Sequence, residues 1–307
     1  MAGIALAETA LAAAMWGTSF PVISLGIKGG LDPRTFVFLR FAIAAPVMLG
    51  VALALGRDVM PLLRDRAIWV VGLFNAVGFV CQFVGQQYTS ASVAALLVNM
   101  SVVLAAIGAV VFLGERLGSF KVVGVFLAFA GVFLITTNGD FGAVAGGQGL
   151  GDALYLIAAV SWAGYILYSK KKMDEQKWDP LASAACIVAV TAILVVPPAL
   201  TAGYGSPLST KSLGAVAFTA FFNTVVPFVL YQKGLKYLTA SSSAVVLMLE
   251  IVVAVLISVA FLGETFTAFA WVGALAVLAS ILLVSGVEIR GKSLSVRVTE
   301  ASRVKDA

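Results

Sequence analysis

The sequence contains no histidine, and it has only two cysteines, Cys81 and Cys186. Without histidine, the chain lacks the commonest metal ligand and the side chain best suited to carry protons near neutral pH. Both cysteines lie inside apolar runs, so neither a disulfide framework nor a thiolate metal site is expected. Serine, histidine and acidic residues are also not clustered as hydrolytic or redox catalysis requires. We therefore expect no catalytic residues, no metal and no cofactor.

Charged residues are scarce as well, at 11% of the 307 residues, against roughly a quarter in soluble domains. Hydrophobic residues make up 61%, and the mean hydropathy is +1.04. These values indicate an integral membrane protein, and runs without two-residue alternation favour helices over barrel strands. Ten apolar runs of spanning length predict ten transmembrane helices, at residues 4–26, 35–56, 67–87, 91–113, 120–138, 151–170, 180–202, 213–233, 240–262 and 267–286.

An internal duplication organises the chain. The segment Gly85–Gly118 returns without a gap, 149 residues later, as Gly234–Thr267. Each copy has a polar turn, an apolar stretch of about 20 residues and the ending Phe-Leu-Gly-Glu. Because each half would hold five helices, an odd number, the second half must cross the membrane in the opposite direction. The sequence thus predicts an all-α membrane protein of two inverted five-helix repeats, residues 1–140 and 141–286, followed by a basic cytoplasmic tail, 287–307.

Lysine and arginine are distributed unevenly between the connections. With the N-terminus in the cytoplasm, sixteen of them lie in the inner connections and the tail, and the outer connections hold only Lys28, Arg34 and Lys211. Basic residues concentrate on the cytoplasmic side of membrane proteins. We therefore expect a multi-pass protein of a bacterial-type inner membrane with both termini in the cytoplasm, and we do not interpret its basic charge as a nucleic-acid site.

Polar side chains near the middle of predicted spans are costly and therefore informative. Glu250 lies about halfway along the ninth span, where a lone carboxylate would cost at least about a few kcal/mol. It is expected to face a wet cavity or to stay protonated, either as a functional group or as a partner of neighbouring polar groups. Amides lie at similar depth on other helices, namely Asn75, Asn99 and Asn223. The third span also has a polar stripe at helical spacing, formed by Asn75, Phe79, Gln82 and Gln86. These amides either join helices by hydrogen bonds or line a cavity.

Two tryptophans, Trp16 and Trp162, occupy comparable mid-span places in the two halves, although tryptophan usually collects at membrane interfaces. Trp162 shares a helical face with Tyr165. These rings either pack the bundle or form the wall of an apolar ligand site. Arg40 lies about six residues into the second span, close enough to the outer surface to snorkel. Its expected role is pairing at a helix crossing or, alternatively, capture of a substrate carboxylate.

Five short stretches stand out in the two halves: Trp16–Pro21 (WGTSFP), Leu39–Phe41 (LRF), Phe112–Gly118 (FLGERLG), Leu249–Glu250 and Phe261–Glu264 (FLGE). In their order and symmetry they resemble the EamA-type members of the drug/metabolite transporter superfamily. Within the superfamily the chain is most similar to the YddG-type amino-acid exporters. It departs from the family where Val102 and Ile251 replace the usual prolines of the duplicated helices, so the hinge is expected elsewhere, for example at Gly108 or in the neighbouring helices.

The resemblance implies export of neutral or aromatic amino acids and related metabolites by alternating access around a central cavity. The residues add that phosphorylated substrates are disfavoured, because no lysine lies mid-membrane. We expect the cavity to be lined by Trp16, Asn75, Gln82, Asn99, Trp162, Tyr165, Asn223 and Glu250. One alternative is proton-coupled efflux of lipophilic cations through Glu250, and another is a non-transporting scaffold. The expected partners are a small-molecule substrate and the lipid bilayer, with a monomeric chain and no nucleic acid.

Overall fold

The computed structural model of the protein describes residues 1–89, 91–140, 142, 149–202, 209–262 and 265–305. Over these residues the chain is helical, and ten helices are long and apolar enough to cross a membrane. In chain order, these first to tenth spans are Ala2–Lys28, Pro33–Ala54, Arg66–Gly85, Val93–Leu113, Ser119–Thr137, Leu150–Gln176, Pro180–Leu200, Thr210–Tyr237, Ala240–Phe261 and Ala268–Arg290. The predicted ten-helix membrane fold is confirmed.

Two further helical features lie outside the spans. A short helix, Met60–Arg64, connects the second span to the third. The last helix, Ala268–Lys305, continues beyond the tenth span through most of the segment that the sequence had indicated as a basic tail.

The second and seventh spans start with the same local motif, an aspartate followed by proline. Asp32 accepts a hydrogen bond from the backbone N–H of Arg34 at 2.8 Å, and Asp179 accepts one from that of Ala182 at 2.9 Å. Each aspartate satisfies an N–H group that the first turn of a helix leaves free, and proline fits that turn. The Arg34 side chain also bonds to Asp32, which lowers the pKa of that carboxyl. The shared motif provides a reference point for aligning the second span with the seventh.

Four spans are interrupted, and three of them contain proline, which removes a backbone hydrogen bond and bends a helix. The breaks divide the first span into Ala2–Gly17 and Ser19–Lys28, the seventh into Pro180–Leu194 and Val196–Leu200, the eighth into Thr210–Ala220, the π-helical turn Phe221–Val225 and Val226–Tyr237, and the ninth into Ala240–Leu247 and Leu249–Leu262. The eighth-span turn fits the rule that π-helical turns occur mostly as single insertions at functional sites.

The two duplicated helices differ in continuity. The ninth span breaks at Met248, whereas the helix of the fourth span, Ala91–Leu113, is continuous through Gly108. A Cβ atom on Gly108 would lie 2.2 Å from a methyl carbon of Leu167 in the sixth span. Gly108 therefore lies in an unbroken helix and permits close packing against the sixth span.

Packing between the spans follows a two-fold pattern. The first span packs against the eighth and ninth, and the sixth packs correspondingly against the third and fourth. The second packs against the seventh and the fifth against the tenth, so exchanging the halves leaves the pattern unchanged. A Cβ atom on Gly131 would lie 2.6 Å from the carbonyl oxygen of Gly273, because small residues let the fifth and tenth spans approach closely. With five crossings in each half, the two repeats have inverted topology, as the duplication predicted.

Candidate functional site: a cavity between the two halves

A cavity lies between the halves and is lined by residues of seven spans, the first to fourth, the sixth, the eighth and the ninth. The cavity and its opening enclose about 1130 Å³, of which about 140 Å³ is open to the centres of water-sized molecules. By the latter measure it has room for several waters. Its lining is mainly apolar and aromatic with a few polar groups, the usual composition of a small-molecule site.

Matching aromatic contacts form two walls of this cavity. Trp16 packs edge-on against Phe228 with ring centroids 5.6 Å apart, and Trp162 packs edge-on against Phe79 at 4.9 Å. Phe79 and Phe228 are 149 residues apart, the spacing of the duplication, and all four rings line the cavity. Each half therefore supplies a tryptophan that packs against a phenylalanine of the other half.

The next equivalent pair, Gln82 and Tyr231, extends these walls. The indole N–H of Trp162 donates to Oε1 of Gln82 at 3.1 Å, whereas Trp16 packs against the Tyr231 ring with centroids 5.6 Å apart. Tyr165 stacks on Tyr231 at 6.0 Å. Phe228 and Tyr231 were missed by sequence reasoning, although their 149-residue offset from the polar stripe of the third span could have identified them.

Arg40 is buried, with 1% of its surface exposed, and its side chain does not snorkel to the outer surface as expected. Its Nε–H donates to Oγ1 of Thr224 and its Nη2–H to the carbonyl oxygen of Asn223, both at 2.7 Å. The guanidinium also lies 4.8 Å from the centre of the Phe79 ring. These acceptors on the eighth span hold Arg40 inside, where it pairs two helices and also lines the cavity.

The backbone carbonyl of Asn223 is available because Pro227, four residues later, has no N–H to donate to it. It accepts hydrogen bonds from the Trp16 indole at 2.9 Å and from Arg40. The Asn223 side-chain amide donates to the carbonyl of Met15 and, at 2.9 Å, to Oγ1 of Thr18, where the first span breaks. Asn223 is buried and lies outside the cavity lining, so it positions lining residues from behind.

Two other predicted amides have different surroundings. Asn75 is fully buried and donates to Oγ1 of Thr191 in the seventh span at 2.9 Å, away from the cavity. Asn99 does line the cavity, and its amide donates to the carbonyl of Ala95 one turn earlier at 2.7 Å. The cavity thus brings together Trp16, Gln82, Asn99, Trp162, Tyr165, Glu250 and Arg40, and it leaves out Asn75 and Asn223.

Glu250 lines the cavity from the first turn of the helix that follows the break in the ninth span. A helix N-terminus favours negative charge. Its backbone is held close to the first span, because a Cβ atom on Gly17 would lie 2.5 Å from the Glu250 carbonyl oxygen. Its carboxylate interacts electrostatically with Arg40, but no direct ion pair joins these two side chains. The carboxylate is therefore presented to the cavity.

Buried polar contacts close the bundle on the side of the termini. Lys121 donates to Oε2 of Glu288 at 3.1 Å and to Oγ1 of Thr239 at 2.8 Å, and the Lys121 and Glu288 side chains are at most 10% exposed. Glu115 accepts from the N–H of Ala240 at 2.6 Å and from the hydroxyl of Ser241 at 2.6 Å. These contacts join the fifth span and its preceding connection to the ninth and tenth spans. Sequence reasoning missed them, although a lysine and a glutamate near span ends were a visible signal.

On the opposite side, the described residues at the related helix ends make exposed contacts. There Thr267 donates its N–H to Oδ1 of Asn138 at 2.8 Å in an exposed hydrogen bond. Glu264, the counterpart of Glu115, lies outside the described residues. The cavity lining reaches Gln86, just beyond the end of the third span on this side. The cavity therefore extends toward the side opposite the termini.

Comparison with known proteins finds two matches to the family described as the EamA-like transporter family, over residues 1–137 and 149–286. YyaM, an uncharacterized transporter of Bacillus subtilis, is 29% identical over 270 residues, which cover 84% of this chain and 86% of YyaM. A probable terminal-alkyne amino-acid exporter of Streptantibioticus cattleyicolor is 26% identical over 282 residues, which cover 88% of this chain and 89% of that protein.

A solved crystal structure is also similar to this chain. It superposes with a TM-score of 0.79 at 19% sequence identity and covers 93% of this chain and 98% of its own. At that identity the likeness concerns the fold alone.

Proposed function

Because the chain belongs to the EamA-like transporter family, we propose that it exports neutral and aromatic amino acids and related small metabolites. The observation that carries the proposal is the aromatic cavity, to which both halves contribute a matching tryptophan and phenylalanine, Trp16 with Phe228 and Trp162 with Phe79. Aromatic rings provide large, rigid apolar surfaces for a substrate side chain. The similarity to a probable amino-acid exporter supports the same substrate class.

The charges of the cavity also favour this substrate class. Arg40 and Glu250 are the charged side chains among its described lining residues, and their formal charges cancel. A phosphorylated substrate would call for several cationic or bidentate donors. A neutral or zwitterionic solute suits the cavity better.

The inverted repeats supply the mechanism of this proposal. Two halves of opposite orientation around one site can expose that site to each side in turn. In this conformation the side of the termini is closed by contacts such as Lys121 to Glu288, and the cavity extends toward the other side. With the termini in the cytoplasm of an inner membrane, as the basic residues indicate, this conformation is outward-facing. Loading from the cytoplasm then requires those contacts to open.

Transport by the purified protein in liposomes tests the proposal. We expect labelled phenylalanine, methionine or threonine to exchange across the membrane faster than in empty vesicles. Trp16→Ala and Trp162→Ala should each slow this exchange, whereas Trp271→Ala, at an exposed ring outside the cavity lining, should not. Failure to move any neutral amino acid above the empty-vesicle background would overturn the proposal.

Glu250 supports a second candidate, proton-coupled efflux of lipophilic cations. Within the described part of the chain its carboxylate accepts no hydrogen bond, and it borders aromatic rings that suit an organic cation. This candidate predicts that a pH gradient drives cation uptake into vesicles and that Glu250→Gln removes the dependence on the gradient. The same substitution at Glu175, an exposed residue at the end of the sixth span, is the matched control. Flux that ignores the gradient would eliminate this candidate.

A further inference from the structure

We propose that Arg40 and Glu250 form a binding site for the zwitterionic head group of an α-amino acid, Arg40 taking the carboxylate and Glu250 the ammonium. This inference rests on the proposed transport of amino acids and assigns the two ends of the substrate to named side chains. It concerns two groups from different halves, since Arg40 is in the second span and Glu250 in the ninth.

Arg40 is fixed in place and still has donors to offer. A guanidinium carries five N–H groups, and the protein engages one on Nε, through Thr224, and one on Nη2, through Asn223. Among the described residues, none accepts a hydrogen bond from Nη1, and Arg40 lines the cavity. Its side chain is held in place by two hydrogen bonds to the eighth span, so little conformational entropy is lost when a carboxylate binds.

Glu250 has the complementary property. Its carboxylate lines the cavity and has no hydrogen-bond donor in the described part of the protein. It lies at the positive end of the helix Leu249–Leu262, and the close approach of Gly17 to its backbone fixes its position. A carboxylate in such a place needs a cationic partner to offset its lost hydration. The ammonium group of an amino acid supplies that partner.

The relation between the two side chains selects for a ligand with both charges. Arg40 and Glu250 line the same cavity without forming a direct ion pair with each other, so each can meet one charge of a bound zwitterion. An amine alone would leave the free donors of Arg40 unsatisfied, and a carboxylate alone would do the same to Glu250. Sites that leave a buried polar group unpaired reject the incomplete ligand strongly.

The surroundings of Arg40 indicate where the substrate side chain lies. The Phe79 ring is against the guanidinium, and Trp162 packs edge-on against Phe79. An apolar or aromatic side chain bound beside the head group would contact these rings and Phe228, 6.4 Å from Phe79 by ring centroids. The side chain is held by shape and apolar contact, whereas the head group is held by charge.

The duplication does not repeat this charged site. The position 149 residues before Glu250 is Ser101, which also lines the cavity. Counted from the shared aspartate–proline motif, the counterpart of Arg40 is Ile187, which is fully buried. The site therefore binds the head group in one orientation relative to the two halves.

Binding of three related ligands to the purified full-length protein tests the inference. Phenylalanine carries both charges, 3-phenylpropionate lacks the ammonium group and phenethylamine lacks the carboxylate. By isothermal titration we expect phenylalanine to bind about 10- to 100-fold more tightly than either analogue. Glu250→Gln should lose about this factor for phenylalanine while binding of 3-phenylpropionate is retained or improved. Glu175→Gln, the control, should keep all three affinities.

Arg40→Lys provides a second variant, because it keeps the charge and is less disruptive than removing it from a helix crossing. A lysine lacks the planar fork of arginine, so the preference for phenylalanine over phenethylamine should fall while binding of phenethylamine itself is kept. If phenylalanine is transported but all three ligands bind with equal affinity, the head-group site alone is overturned. The same holds if Glu250→Gln weakens the binding of all three ligands equally. Absence of both binding and transport would overturn the proposed function with it.

Discussion

The two halves of the cavity use the same aromatic contacts and reach them by different backbone chemistry. Trp16 packs on Phe228 of the eighth span, and Trp162 packs on Phe79 at the equivalent place in the third. One residue before each phenylalanine, however, the halves differ: Pro227 stands in the eighth span and Gly78 in the third. The packing has thus been retained after duplication while the residue beneath it has changed.

That single difference changes the surroundings of each tryptophan. Pro227 frees the carbonyl of Asn223, which then accepts from both Trp16 and Arg40. Gly78 frees no carbonyl but lets the Trp162 ring lie directly on the helix, since a Cβ atom there would be 3.0 Å from the indole. Pro227 thus helps to position the Arg40 guanidinium, and Gly78 makes room for the Trp162 ring.

The two sides of the bundle also differ in the charge of their contacts. The closed side has the buried pair Lys121 and Glu288, and the corresponding helix ends on the open side have the exposed neutral contact between Asn138 and Thr267. We infer that symmetry sets the fold, and that departures from symmetry set the direction of opening and the chemistry of the site. The following predictions test that separation.

The largest expected effect is on the closed side. Lys121→Met would remove the ammonium group that pairs with the buried Glu288 carboxylate, and breaking a buried pair costs about 3–5 kcal/mol. The melting temperature of the purified protein should fall clearly. Lys171→Met breaks an exposed contact to Glu175 at 3.9 Å and should change it little. Equal changes in the two variants would contradict the importance of the buried pair.

The next effect concerns the contact between the first and ninth spans. Gly17→Ala places a methyl group 2.5 Å from the Glu250 carbonyl and must push the helices apart, at about 1–3 kcal/mol. Gly78→Ala meets only the side chain of Trp162 at 3.0 Å, which can shift, and should cost less. Melting curves compare the two variants. A greater loss in Gly78→Ala would show that the backbone contact at Glu250 is not the tighter one.

Replacing the proline tests the carbonyl that it frees. In Pro227→Ala the restored N–H competes for the carbonyl oxygen of Asn223, which weakens its bonds to Trp16 and Arg40. Because a hydrogen bond to a charged group contributes about 1.5–3 kcal/mol, we expect phenylalanine binding to fall by about tenfold or more. Pro198→Ala, in the seventh span away from the cavity lining, is the matched control. Unchanged binding in Pro227→Ala would refute the role of the freed carbonyl.

The smallest effects are expected from removing the indole N–H groups. Trp16→Phe and Trp162→Phe keep an aromatic ring but each lose one hydrogen bond, worth about 1 kcal/mol or roughly fivefold in affinity. Trp162→Phe should be the milder change, because its acceptor Gln82 lines the cavity and can bind water instead. Titration with phenylalanine measures both variants, and a larger loss in Trp162→Phe would reverse the comparison.

The fold could be predicted from sequence because its determinants are local or repeated. Long apolar runs fix helices in a membrane, and the repeated segments Gly85–Gly118 and Gly234–Thr267 reveal two halves whose odd helix number requires inversion. The depth of a polar residue in the membrane could also be predicted, since it depends only on the position of that residue in an apolar run. These rules identified Glu250, Trp16 and Trp162 as candidates.

The direction in which each side chain points could not be predicted in this way. Asn75 and Asn223 have the expected depth, but they bond to the seventh and first spans instead of facing the cavity. Arg40 lies inside because Thr224 and the carbonyl of Asn223 accept its hydrogen bonds, and those acceptors belong to a span more than 180 residues later. Such partners are set by tertiary packing, which hydrophobic periodicity in a single helix does not encode.

Thiol labelling with protection by substrate tests the central claim that the halves enclose a hydrated cavity for the substrate. In a background with Cys81→Ala and Cys186→Ala, a cysteine is placed by Gln82→Cys on the cavity wall or by Asn75→Cys about two turns away on the same span. We predict that a water-soluble thiol reagent modifies the Gln82→Cys protein, that phenylalanine slows this reaction, and that the Asn75→Cys protein stays unreactive. Equal reactivity at the two positions, or labelling of Gln82→Cys that phenylalanine does not slow, would contradict the account.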